Sequence, residues 1–123
     1  MKILLADDDR LVRTLVKVSL EPIEGVKITE ARDGDEAWDL LRREPFDVVL
    51  LDWLMPGRSG LKLVRDARAA GLDTPIIMLT AEAKRERVIA AIQAGISDYL
   101  IKPFDAGALW SKLVKLCGQK VQV

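Results

Sequence analysis

The chain has 123 residues, 50% of them hydrophobic and 31% charged, a balance that suits one globular domain with a real core and excludes a disordered chain. With 19 basic and 19 acidic residues the formal net charge is zero, so no basic field recruits nucleic acid or an anionic membrane surface. Histidine is absent, which excludes Ser-His-Asp and Cys-His nucleophiles and histidine-ligated zinc or iron; Cys117, the single cysteine, can form no internal disulfide and fits a reducing cytosol.

Apolar runs of strand character alternate five times with stretches of helical periodicity. In chain order, a strand near 2–6 leads to a helix near 10–20, capped by Asp9 and closed at Glu21-Pro22. A strand near 26–30 precedes a helix near 34–43 opened by Asp33-Gly34. A strand near 47–51 is followed by a loop broken at Pro56-Gly57 and a helix near 60–69. Strands near 75–80 and 98–101 lead to helices near 84–94 and 106–117. Gly71, Gly95 and Gly118 follow the last three helices in the position of C-terminal caps. Strict alternation predicts an α/β fold with right-handed crossovers, a parallel sheet and helices on both faces. The apolar start is too short for a signal peptide and no later run could span a bilayer. The expectation is a soluble cytoplasmic protein of one domain over residues 1–123.

Polar residues stand where four strand-like runs end: Asp7-Asp8, Asp52, Thr80 and Lys102. In an open parallel sheet the carboxyl ends of the strands share one edge, where ligands bind, so these residues should meet in one pocket. Adjacent carboxylates repel one another unless a cation or hydrogen bonds compensate. Three carboxylates with a hydroxyl and an ammonium suit magnesium and a phosphoryl group, since magnesium takes oxygen ligands and completes its shell with phosphate oxygens and water.

The run Ile3-Leu4-Leu5-Ala6-Asp7-Asp8-Asp9, then Asp52-Trp53-Leu54-Met55-Pro56 with Gly60, then Thr80-Ala81, then Lys102-Pro103-Phe104 resembles the receiver domain of bacterial response regulators. The sequence around Asp52-Trp53, Thr80-Ala81-Glu82-Ala83-Lys84 and Gln93-Ala94-Gly95 is similar to the CheY-like, chemotaxis-type members of that family. The resemblance covers nearly the whole chain. It implies a flavodoxin-like (βα)5 fold with strand order 2-1-3-4-5, and Asp52 as the phosphoacceptor. It also implies Mg2+ bound by Asp8 and Asp52 directly, by Asp7 through water and by the backbone carbonyl of Leu54. Lys102 would contact a phosphoryl oxygen, with a cis peptide before Pro103 aiming it inward. Thr80 would hydrogen-bond the phosphoryl group, Ala81 would leave it room, and Tyr99 would turn inward as the aromatic switch. The face presented to partners would include Val88, Ile92 and Tyr99. Val88, Ile89, Ala91 and Ile92 make the fourth helix apolar over more than one stripe, so that helix is either well buried or waits for a partner.

Partners implied are a sensor histidine kinase or histidine phosphotransfer protein and a downstream target such as a flagellar motor switch, with a monomer that could dimerise on phosphorylation. The chain ends soon after the fifth helix, so no output domain is expected; a free-standing chemotaxis regulator, a phosphorelay intermediate and a receiver excised from a longer protein all fit. Self-catalysed phosphorylation with slow autodephosphorylation is expected, rather than enzymatic turnover. Asp7-Asp8-Asp9 also satisfies the Asp-x-Asp motif of haloacid dehalogenase-type phosphatases, with Asp7 as nucleophile, but Arg10-Leu11 follows where a threonine is needed. A nucleotide-binding domain lacks its glycine-rich phosphate loop.

Overall fold

A computed structural model describes residues 1–81 and 84–118; Glu82 and Ala83, part of the chemotaxis-type resemblance, lie outside the described residues. Five strands alternate with five helices: β1 (Lys2–Ala6), α1 (Arg10–Leu20), β2 (Lys27–Ala31), α2 (Gly34–Arg43), β3 (Val48–Asp52), α3 (Gly60–Ala69), β4 (Ile76–Thr80), α4 (Arg85–Ala94), β5 (Asp98–Ile101) and α5 (Ala106–Cys117). All strand pairs are parallel and the order is β2-β1-β3-β4-β5, the expected one. The strand order reverses at β1, so the crevice between the ends of β1 and β3 is the topological switch point.

The apolar runs of β1, β3 and β4 are continuous because helices cover both faces of the sheet. Ile3, Leu5, Val48, Leu50, Ile77 and Leu79 pack with Val16 and Leu20 of α1 and Leu109 and Leu113 of α5. Leu4, Ala6, Val49, Leu51, Ile76 and Met78 face the opposite way, against Ala37 and Leu41 of α2, Leu63, Val64 and Ala67 of α3, and Ala91 of α4.

Capping follows the sequence closely. The carboxylates of Asp9, Asp33 and Asp105 and the hydroxyl of Ser59 accept backbone N–H groups at the starts of α1, α2, α5 and α3. Gly95 adopts the left-handed conformation (φ 114°) at the end of α4, as expected for a cap, whereas Gly118 stays right-handed. Three strands begin one residue later than the hydrophobic pattern suggests. In β3 the difference matters: Asp52 is the last strand residue, in register with Leu79 of β4, and not the first residue of the loop.

α4 departs from the buried alternative. Ala91 is its only buried residue, Ile89 and Ile92 are 41% and 56% exposed, and Lys84 at its start makes no side-chain cap hydrogen bond. Its carboxyl end is fastened to α3. Arg68 of α3 donates from Nε to the Gly95 carbonyl (3.0 Å) and from Nη1 to those of Leu72 (2.8 Å) and Thr74 (2.9 Å). Among the described residues, no helix is long and apolar enough to cross a membrane.

Candidate functional site

At the carboxyl edge of the sheet, Asp7 directly follows β1 and is fully buried. It is engaged from every side. Its N–H donates to the Ala31 carbonyl (3.2 Å), its own carbonyl accepts from Arg13 Nη1 (2.7 Å), and Oδ1 accepts from the Asp9 N–H (2.9 Å). Oδ2 accepts from Lys102 Nζ at 2.8 Å, and the same ammonium reaches Asp52 Oδ1 at 3.2 Å. Lys102, just beyond β5, is placed by its own N–H, which donates to the Thr80 carbonyl at 2.8 Å. The Lys102–Pro103 peptide is cis, as the resemblance implied.

Asp52 is 8% exposed, and its neighbour Trp53 is equally buried. The turn after Asp52 is tight. The Gly60 N–H donates to the Trp53 carbonyl (2.8 Å), and a Cβ on Gly60 would lie 2.1 Å from the Asp52 carbonyl oxygen, so only glycine fits there. Asp8 is exposed at the rim. One carboxylate oxygen from each of Asp7, Asp8 and Asp52 falls within 4.8 Å of the others. Three hard oxygen donors this close form a set that can hold a divalent cation.

Asp52, Trp53, Leu54, Thr80, Ala81, Arg87 and Lys102 line a depression of about 360 Å³. Thr80 is buried, whereas Ala81 and Leu54 are exposed, so the depression is open on one side. Burial, together with the negative charge of Asp7, pushes the Asp52 carboxyl up to about 6, against the opposing pull of Lys102. Burial depresses Lys102, but its hydrogen bond to Asp7 and the charges of both carboxylates outweigh this and raise it. Without a further cation the cluster is short of positive charge.

The structure thus brings Asp7, Asp8, Asp52, Thr80, Ala81, Lys102 and the Leu54 loop to one edge. Tyr99 of β5 lies outside this depression, its residue 36% exposed and its ring centroid 5.8 Å from Nζ of Lys112 on α5. Val88 is half-buried and Ile92 exposed on α4. With both oxygens of Asp7 engaged and no exposed surface, Asp7 does not fit the nucleophile role that the phosphatase alternative needs. Sequence reading passed over two residues here. Arg13 holds the Asp7 carbonyl, and Arg87 lines the depression with its guanidinium 5.9 Å from the Trp53 ring centroid. Neither carries a local signal, since each reaches the site only through tertiary packing.

Fold and site define a class: doubly wound five-stranded domains with a lysine-bridged acidic pocket at the switch point. Residues 3–114 match the response regulator receiver domain, and the chain belongs to that family of signal-transduction domains. It is 43% identical over 118 residues to chemotaxis protein CheY-3 of Vibrio cholerae, covering 94% of this chain and 91% of that protein. Identity to chemotaxis protein CheY of Pseudomonas aeruginosa is 41% over 118 residues, with 94% of this chain and 95% of that protein covered. The solved receiver domain of Francisella response regulator 1452 superposes with a TM-score of 0.89 at 35% identity, covering 96% of this chain and 97% of that one.

Proposed function

We propose that this chain is a chemotaxis-type phosphoacceptor switch: Asp52 accepts a phosphoryl group from a partner's phosphohistidine, and the phosphorylated form binds a downstream target. The observation that carries this reading is the ammonium of Lys102 bridging Asp7 and Asp52 in a cluster of three carboxylates. An Asp52 carboxylate oxygen attacks phosphorus, an O–P bond forms, and the P–N bond breaks with its electron pair returning to the departing imidazole, which takes up a proton. Asp8, Asp52 and the backbone carbonyl of Leu54 would hold Mg2+ directly and Asp7 through water; when bound, the ion neutralises charge on the phosphoryl oxygens. Lys102 acts as a point charge on a phosphoryl oxygen, and the Thr80 hydroxyl donates to another.

Ala81, small and exposed, leaves the group room. The switch is a change in population between two packings, driven by contacts that only the phosphorylated pocket makes. Thr80 moves toward the group and Tyr99 turns inward from its exposed position, altering the face that Val88, Ile92 and Tyr99 present. The chemotaxis role rests on the CheY relatives of Vibrio and Pseudomonas.

The test is intact-protein mass after incubation with acetyl phosphate, with and without Mg2+, for the wild type and Asp52→Asn. A magnesium-dependent gain of one phosphoryl group, absent from the variant, is expected. No gain, or a gain that survives the substitution, refutes the assignment.

A further inference from the structure

We propose that Arg87 is a second cationic ligand for the phosphoryl group on Asp52, closing over it from α4. The inference rests on the receiver reading and adds to it a residue that the family pattern did not supply. Arg87 is the third residue of α4 and lines the same depression as Asp52, Leu54, Thr80, Ala81 and Lys102. Its guanidinium carbon sits 5.9 Å from the ring centroid of Trp53, the residue bonded to Asp52. The ring helps to hold the cation beside the pocket, within side-chain reach of a group on Asp52.

Charge balance calls for such a cation. Asp7 and Asp8 supply two negative charges, against one positive charge on Lys102 and two on a divalent metal. An aspartyl phosphate carries about two negative charges in place of the single charge of the Asp52 carboxylate, so one negative charge is left over. A guanidinium restores neutrality. It also brings planar, paired N–H donors that match phosphoryl oxygens, which the point charge of Lys102 does not. Lys102 already shares its donors with Asp7 and Asp52.

A group that binds the anion and repels the metal has an unmistakable signature. In Arg87→Ala, calorimetric titration with Mg2+ alone should give an affinity equal to or tighter than the wild type. Titration of the Mg2+-saturated protein with beryllofluoride, an anionic stand-in for the phosphoryl group, should give an affinity about tenfold weaker, equivalent to about 1.4 kcal/mol. Arg87→Lys, which keeps the charge and loses the fork, should fall between. An unchanged beryllofluoride affinity overturns the proposal, as does a parallel loss of both affinities, which would mark Arg87 as structural. Acetyl phosphate labelling of the wild type and Asp52→Asn runs alongside. If the wild type labels at Asp52, a negative result refutes Arg87 alone; if it does not, the receiver reading falls and this proposal with it.

Discussion

Asp52→Asn should make the metal-free protein more stable, because three carboxylates crowd a pocket that a single ammonium bridges. Burial and the nearby charge of Asp7 hold the folded carboxyl at about 6, against an ordinary 3.8. The folded state therefore binds this proton more tightly than the unfolded chain does. Stability must fall as pH rises from about 4, and the loss is complete somewhat above pH 6. At 1.36 kcal/mol per pH unit, that gap corresponds to about 3 kcal/mol opposing folding at neutral pH. Asparagine removes the charge at nearly constant volume, and Lys102 keeps its 2.8 Å contact with Asp7. Urea unfolding in EDTA, followed by tryptophan fluorescence, should show the variant ahead by about 3 kcal/mol at pH 8 and level with the wild type near pH 4. In thermal unfolding the gain at pH 8 corresponds to on the order of 10 °C. Saturating Mg2+ should narrow the difference by stabilising the wild type. A variant no more stable than the wild type at pH 8, or a gain of equal size at pH 4, would refute the electrostatic account.

Lys102→Met leaves the fully buried Asp7 carboxylate uncompensated and should cost about 3 kcal/mol at neutral pH, as chemical denaturation will show. Arg68→Met strands the carbonyls of Gly95, Leu72 and Thr74; a loss of about 2 to 4 kcal/mol is expected by thermal unfolding. Asp9→Ala removes the acceptor for the Leu11 N–H and should cost about 1 kcal/mol in the same assay, since Asp9 serves as the helix cap and not as a member of the acidic cluster. Ile92→Gln, on the exposed face of α4, should change stability by less than about 0.5 kcal/mol, measured by urea unfolding.

Much of this fold was legible because each element carries its own punctuation. Asp9, Asp33 and Asp105 sit at helix starts, and their side chains accept the N–H groups that such positions leave unpaired. The acidic pocket was legible for a different reason: polar residues ending apolar runs can meet only at the strands' shared edge. Boundaries slipped where a polar residue belongs to the sheet, as Asp52 does by pairing in register with Leu79. What stayed hidden depends on approach in three dimensions. Arg87 reads as one more charge on a surface helix, and Arg68 as another, until packing places one beside Trp53 and the other against the Gly95 carbonyl. The exposure of Ile89 and Ile92 was hidden likewise, since an apolar stripe has the same spacing whether or not something covers it.

The way α4 is attached has a mechanical consequence. Its carboxyl end is riveted to α3 through Arg68 and the left-handed turn at Gly95, its middle rests on Ala91, and its first turn meets the acidic pocket through Arg87, whose guanidinium lies over the Trp53 ring. A rod clamped at one end answers a push at the other by swinging, so a displacement beside the acidic pocket is carried along the helix as a change of tilt. The fulcrum lies far along the helix from the chemistry. Ile89 and Ile92 ride on the lever arm between the two, and their apolar surface is what such a swing re-aims.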